Sequence, residues 1–225
     1  MGGGVDEAPR ALARGGGARI MAASVGREAF MGDSGGESAG GREAPLKVVR
    51  YPAPVLRSKR MPPSEVDYPG GLGALARDMI ETMYLSRGVG LAAPQVGVNV
   101  RLAVIDVSPG RGLPMVLVEP RIVERSGSAT DEEGCLSVPG INGRVKRAAR
   151  VVVEHEDLDG ATCRIEAEGL LARVLQHEID HLDGKLFIDR LGMAKRLSIR
   201  RHLSRLEAAA RRREAGAAAA GEEPT

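Results

Sequence analysis

The spacing of apolar residues predicts two amphipathic helices. The first covers GLGALARDMIETMYLSR, residues 71–87, and ends where Gly88 interrupts the pattern. Its apolar residues recur at three- and four-residue steps and therefore share one face of a helix: Leu72, Leu75, Met79 and Met83. The second helix runs from about Glu168 to Leu182, and Gly184 is suited to its C-terminal cap.

Four segments rich in β-branched residues are predicted to be strands. They are separated by turn-forming stretches such as SPGRG, RSGSATDEE and DLDG and cover residues 101–107, 115–120, 150–156 and 162–167. Connections of this length favour antiparallel pairing, because parallel strands need a longer crossover.

The two ends of the chain differ in composition from its middle. Residues 1–44 are rich in Gly, Ala, Arg and Ser without periodicity, which predicts a disordered leader because little apolar surface offsets the entropy of ordering. Acidic residues throughout that leader argue against an organellar transit peptide. We expect a catalytic domain at residues 45–195 and a basic, Ala-rich C-terminal helix or tail at residues 196–225.

Composition narrows the class of protein. A chain of 225 residues with 43% hydrophobic and 28% charged residues is ordinary for one globular domain, and 2% aromatic content predicts an aliphatic core. A net charge of +2 does not by itself indicate nucleic-acid binding, and two cysteines allow at most one disulfide. So few cysteines favour the reducing cytoplasm. No apolar run reaches the roughly 18 residues of a membrane span, so we expect none.

The sequence His177-Glu178-x-x-His181 in the second predicted helix is a candidate metal site. Residues four apart lie about 40° apart around a helix, and both histidines continue the stripe of Leu170 and Val174, so they should face inward. Glu178 lies about 60° from His181, which suits a general base better than a third ligand from the same turn.

A catalytic metal needs a third protein ligand, for which the chain offers four candidates. His155 and His202 are expected at the surface, and Cys163 is expected to act as a small apolar side chain. Cys135 follows Gly134 in a Gly- and Pro-flanked segment, where a backbone can approach a metal closely. We therefore favour Cys135.

Three segments together resemble the signature motifs of bacterial peptide deformylase, in order and in spacing. They are GVGLAAPQVG (88–97), EEGCLSVPG (132–140) and QHEIDHLDG (176–184), and the resemblance extends over about residues 45–195. It implies a hydrolase that removes the formyl group from the N-terminal formylmethionine of nascent polypeptides and releases formate. It also implies an α+β fold with antiparallel or mixed β-sheets around a central helix that carries the HExxH motif.

The resemblance also assigns the reacting groups. Cys135, His177 and His181 would ligate one divalent metal, which is ferrous iron in the family, with zinc, nickel or cobalt able to replace it. Glu178 would be the acid/base, and Gln95 with the backbone N–H of Leu136 would stabilise the oxyanion.

Substrate contacts are expected in two places. Gly88 and Gly90 leave room for the substrate to pair like an added strand, and Leu170 and Val174 are candidates for the methionine pocket, with a purely core role as the alternative. Many deformylases carry an Arg after the second motif that contacts the substrate.

In this chain Asn142 stands near the position of that substrate-contacting Arg. Arg144 follows two residues later and is therefore the candidate for the contact with the substrate. Behind the metal, Glu133 and Asp180 are candidates to accept hydrogen bonds from the ligating histidines, or Asp180 to pair with Arg147; the alternative is that both are ordinary surface acids.

The implied partners are N-formylmethionyl nascent peptides. The basic residues from Lys195 to Arg213 resemble the C-terminal helix through which some relatives dock at the ribosome, and the favoured alternative for them is a solvated amphipathic helix. No membrane and no specific DNA are expected as partners. Two rival hypotheses remain from the residues: another HExxH metallopeptidase, and a non-catalytic metal-binding relative.

Overall fold

The computed structural model describes residues 46–58 and 60–220, so the predicted leader at residues 1–44 lies outside the described residues. The helices are α1 (Gly71–Leu85), α2 (Gly169–Leu182) and α3 (Met193–Ala220). The strands are β1 (Gly90–Ala92), β2 (Leu102–Ile105), β3 (Met115–Ser126), β4 (Ala129–Glu133), β5 (Gly143–Arg147), β6 (Arg150–Glu156) and β7 (Thr162–Glu168). Short 3-10 helices lie at Pro54–Arg57, Pro63–Glu65, Ala93–Val96 and Phe187–Arg190.

The strands form two antiparallel sheets, which confirms the predicted α+β class. One sheet has the order β1-β2-β3-β6-β7, and β4 pairs with β5 in a separate hairpin. The one parallel pairing among the described residues is an isolated bridge between Met61 and Val100.

Three strands were missing from the prediction. Part of the segment 125–133, predicted as a connection, is β4, whose sequence ATDEE is exposed except at Glu133 and so carries no apolar alternation. Strand β1 is too short for a pattern, and β5 (GRVKR) offers only Val145 as an apolar residue. Strand β3 extends to Ser126, whereas the prediction ended it at residue 120. The outer half of the strand is mostly exposed, so its sequence did not indicate a strand.

Helix α2 is central, and its two ends are fixed by glycines. Strand β7 runs straight into the helix through Gly169, which has φ 58°. At the other end the N–H of Gly184 donates to His181 O (3.1 Å) and the N–H of Lys185 to Asp180 O (2.8 Å), which is the Schellman pattern expected from the sequence. The rotation of α2 about its own axis, relative to the sheet, is thereby set at both ends.

Apolar packing holds α2 between the sheet and the rest of the molecule. Leu175 and Ile179 of α2 pack in one buried cluster with Leu117, Val151 and Val153 of the sheet. The predicted apolar face of α1 is confirmed in a second cluster, where Leu75, Met79 and Met83 are buried and Leu72 is partly buried.

Helix α3 begins at Met193, so the boundary predicted between residues 195 and 196 falls inside it. Its buried residue Ile199 packs with Val145 and Phe187, and the Tyr51 hydroxyl donates to Glu207 at 2.7 Å. None of the described helices has the length and apolarity that a membrane span requires.

Candidate metal centre

Three side chains from two distant parts of the chain meet at the inner face of α2. The Sγ of Cys135 and ring nitrogens of His177 and His181 all lie within 4.8 Å of one another. The Sγ of Cys135 lies 3.2 Å from Nε2 of His181. Cys135 comes from the loop between β4 and β5, so the third ligand favoured from the sequence is brought to the histidine pair.

The chemistry of this cluster fits a divalent cation. Burial alone would lower the pKa of His177, but its contacts with Cys135 and Glu133 outweigh burial and raise that pKa to about 10, so the surroundings stabilise positive charge. Burial and the neighbouring His177 keep the pKa of His181 well below its usual value, which leaves a neutral imidazole able to act as a ligand. One thiol and two imidazoles are also the number of protein ligands typical of a catalytic site, whereas structural sites use four.

Glu178 lies beside the cluster with its carboxylate buried. Burial raises its pKa to about 7, although the positive charges of His177 and Arg147 oppose this shift. Its Oε2 has no hydrogen-bond partner in the part of the chain that the structure describes. A carboxylate with a pKa near neutrality can both accept and return a proton.

Gln95 is fixed with its amide directed at the same place. Its Oε1 accepts from the N–H of Ala92 (2.9 Å), and its Nε2 donates to Ser137 Oγ (3.2 Å) and contacts Cys135 Sγ (3.5 Å). Because the oxygen is committed to the backbone, the NH₂ group faces the cluster, next to Leu136 in the loop that carries Cys135.

A buried ion-pair network lies behind the histidines. Glu133 Oε2 accepts from Nδ1 of His177 at 3.1 Å. The same carboxylate accepts from Nε and Nη2 of Arg147, at 2.6 and 2.8 Å, and from Nη1 of Arg173 at 2.5 Å. Burial would raise the pKa of Glu133, but His177 and Arg147 outweigh burial and lower it to about 2.

Asp180 pairs with arginines and with neither His177 nor His181. It accepts from Nη1 of Arg147 at 2.8 Å and from Nε of Arg190 at 2.5 Å, so Asp180 adopts the predicted pairing with Arg147 while Glu133 adopts the predicted contact with a histidine. The Nδ1 of His181 is buried without a hydrogen-bond partner among the described residues. The two histidines therefore differ in their support.

A cleft of about 400 Å³ opens onto the cluster and is lined by Gly88, Gly90, Leu136, Leu170 and Val174 among others. One wall is β1, an edge strand of the five-stranded sheet. Gly90 pairs with Ile105, and the neighbouring pair bonds through Asp106 N–H to Val89 O, so the backbone polar groups of Gly90 point away from β2. The free edge of β1 therefore faces the cleft.

Glycine is required at position 90. A Cβ built there would overlap the carboxylate of Glu178 and lie 2.9 Å from Cγ1 of Val174. The backbone of β1 thus lies against both the acid/base candidate and the pocket. The other predicted glycine, Gly88, has its carbonyl oxygen bound by Nη2 of Arg111.

Other candidate residues lie apart from the cluster. Arg144 is exposed on β5 and does not line the cleft, and Asn142 lies close to the backbone of Gly134. The surface prediction for His155 is wrong: it is 8% exposed, with Nδ1 2.8 Å from Glu156 O. His202 is half-buried, 3.0 Å from Pro139 O, and Cys163 lies across β6–β7 from His155.

Sequence reasoning missed Ser137 and Arg173. Ser137 is fully buried and accepts the hydrogen bond from Gln95. It was missed even though it lies in the second motif, two residues after Cys135. Arg173 lies four residues before His177, on the same face of α2, and this spacing was the available signal.

Residues 45–197 match the polypeptide deformylase family. The peptide deformylase of Alkalilimnicola ehrlichii is 49% identical over 162 residues, which cover 72% of this chain and 90% of that protein. Among solved structures, a plant peptide deformylase superposes with a TM-score of 0.70 at 41% identity, covering 76% of this chain and 94% of the other. A Legionella pneumophila peptide deformylase superposes with a TM-score of 0.66 at 45% identity, covering 75% and 99%.

Proposed function

The chain belongs to the peptide deformylase family, hydrolases that remove the N-terminal formyl group from peptides during protein biosynthesis, and from that premise we propose how its own residues carry out the reaction. The enzyme is metal-dependent and acts on formylated nascent peptides. The observation that supports our assignment of roles is the convergence of Cys135, His177 and His181 beside the buried carboxylate of Glu178.

Cys135, His177 and His181 would hold one divalent ion, which we propose to be Fe²⁺. A thiolate with two imidazoles equally suits zinc, nickel or cobalt, so the preference for iron rests on the resemblance to the family. When bound, such an ion supplies Lewis acidity, which polarises a carbonyl and lowers the pKa of water toward about 7.

Glu178 moves the proton. Its raised pKa and buried position suit it to take a proton from the attacking water at neutral pH. The same carboxylate would then return that proton to the departing α-amine, whose C–N bond to the formyl carbon breaks. Formate and a free N-terminus are the products.

The oxyanion that forms on the formyl group would be stabilised by the Gln95 amide and the backbone N–H of Leu136. The Ala92 and Ser137 contacts hold the Gln95 amide in one orientation, so little reorganisation is needed during the reaction.

The substrate backbone would pair with the free edge of β1 at Gly90, close to Glu178. Its methionine side chain would lie against Leu170 and Val174, which line the cleft. Val174 is 6% exposed, whereas Leu170 is 57% exposed, so Leu170 would form the outer rim.

We further propose that α3 binds the ribosome and that the enzyme works in the cytoplasm, where nascent chains are made. The exposed basic residues of α3 supply a surface for RNA phosphates, and they include Arg200, Arg201, Arg205, Arg211, Arg212 and Arg213. The opposite face packs on the domain through Ile199, which fixes the helix to the catalytic domain.

The decisive comparison is formate release from formyl-Met-Ala against cleavage of an unformylated peptide. We expect turnover of the formylated substrate only. Cleavage of only the unformylated peptide would instead indicate a general metallopeptidase.

A further inference from the structure

Arg173 belongs both to the cleft and to the network behind the metal centre. It lines the cleft, yet the whole residue is only 9% exposed. Its guanidinium points into the β4–β5 hairpin, where Nη1 donates to Glu133 Oε1 (2.5 Å) and Val145 O (3.1 Å), and Nη2 donates to Ala129 O (3.1 Å). Three acceptors therefore fix the charged end of this side chain.

Glu133 links Arg173 to a metal ligand. One carboxylate oxygen accepts from Arg173, and the other accepts from Nδ1 of His177. Arg147 bonds both oxygens of the same carboxylate and so supports it from the other side. The orientation of the His177 ring depends on where this carboxylate is held.

We propose that Arg173 has two roles in one side chain, as a wall of the pocket for the substrate's first side chain and as a positioning residue for His177. Because the guanidinium is committed to the hairpin, the part left to face the cleft is the unbranched methylene stem. Such a stem packs along an unbranched apolar side chain like that of methionine. The inference rests on the proposed function, since it takes the cleft to be the substrate site.

The two roles separate in a pair of substitutions. Arg173→Met keeps an unbranched apolar stem and removes the guanidinium, whereas Arg173→Ala removes both. The control is Arg150→Met, which removes an exposed arginine that pairs with the equally exposed Glu168 at 3.1 Å.

The positioning role is read from metal affinity, measured by competition with a chelator on protein loaded with Co²⁺. We expect both Arg173 variants to bind Co²⁺ about tenfold more weakly than wild type, because Glu133 keeps Arg147 but loses one donor. Arg150→Met should match wild type, and Arg173→Lys should recover part of the loss. Wild-type affinity in both Arg173→Met and Arg173→Ala would overturn this role.

The pocket role is read from KM for formyl-Met-Ala, measured at saturating metal. We expect Arg173→Met to keep the wild-type KM and Arg173→Ala to raise it about tenfold, as expected for losing contact with one or two methylenes. An equal KM in the two variants would remove the pocket role. Failure of wild type itself to release formate would instead count against the proposed function, and the Co²⁺ measurement would still test the positioning role.

Discussion

Nδ1 of His177 lies 3.1 Å from Oε2 of Glu133, and this contact joins the metal centre to the buried ion pairs behind it. With Nδ1 bound to a carboxylate, Nε2 of the ring is left for the metal. Glu133 is 7% exposed and is held in turn by Arg147 and Arg173. Displacing either arginine would therefore move the carboxylate and, with it, the ring of His177.

Glu133→Gln should weaken both the metal centre and the fold. We expect metal affinity to fall about 10- to 100-fold because His177 loses its carboxylate partner. We also expect the free energy of unfolding to fall by about 3–5 kcal/mol, because Arg173 keeps a buried charge without its carboxylate partner and Arg147 is left with Asp180 alone. Chelator competition and urea unfolding measure the two effects.

Glu124→Gln is the matched control for that variant. It removes a carboxylate from an exposed pair with Arg164, so its cost should stay below about 1 kcal/mol and metal affinity should not change. A metal affinity equal to wild type in Glu133→Gln would show that the Glu133 contact does not position His177.

Gln95→Leu should lower kcat about 100- to 1000-fold and leave metal content unchanged, since one oxyanion donor is worth about 2.7–4 kcal/mol. Ser137→Ala should have a smaller effect on kcat, because it removes only the acceptor that orients the Gln95 amide. Steady-state formate release and metal analysis separate these outcomes. If Ser137→Ala proved as damaging as Gln95→Leu, the direct role of the amide would be in question.

Gly90→Ala should abolish most of the activity without unfolding the domain. The added methyl group would displace the Glu178 carboxylate and narrow the cleft at Val174, so we expect kcat/KM to fall by about 100-fold or more. Gly112→Ala is the control, because a Cβ there would meet no atom within 4 Å. Equal kcat/KM in the two variants would mean that β1 does not border the reacting groups.

The basic surface of α3 should be needed for ribosome binding and not for formate release. We expect the triple change Arg200→Glu, Arg201→Glu and Arg205→Glu to remove cosedimentation with ribosomes at low salt while formate release from a dipeptide stays at the wild-type rate. Ribosome binding that survives the charge reversal would assign docking to another surface.

Helices α1 and α2 and the meeting of Cys135 with the histidine pair could be predicted from the sequence because their signals are local. Apolar spacing marks α1 and α2, and the HExxH spacing places His177 and His181 on one face of α2. The loop between Gly134 and Pro139 singled out Cys135 among four candidates.

The supporting structure could not be predicted in the same way because its contacts link distant parts of the chain. Strand β4 is polar along its length and is defined by its pairing with β5. The spacing of Arg173 to His177 indicates the inward face of α2, but its acceptors, Val145 O and Ala129 O, belong to the distant hairpin and are not visible in the sequence. The burial of His155 likewise depends on how the sheet is covered.

The proposed proton transfer by Glu178 is tested on wild type and Glu178→Ala, purified without oxygen, with Glu166→Ala on the exposed part of β7 as control. Metal content and formate release from formyl-Met-Ala are measured on the same samples. We expect equal metal in all three proteins, full activity in Glu166→Ala, and a loss of at least about 100-fold in Glu178→Ala. Formate release by Glu178→Ala at the wild-type rate would contradict the proposed proton transfer.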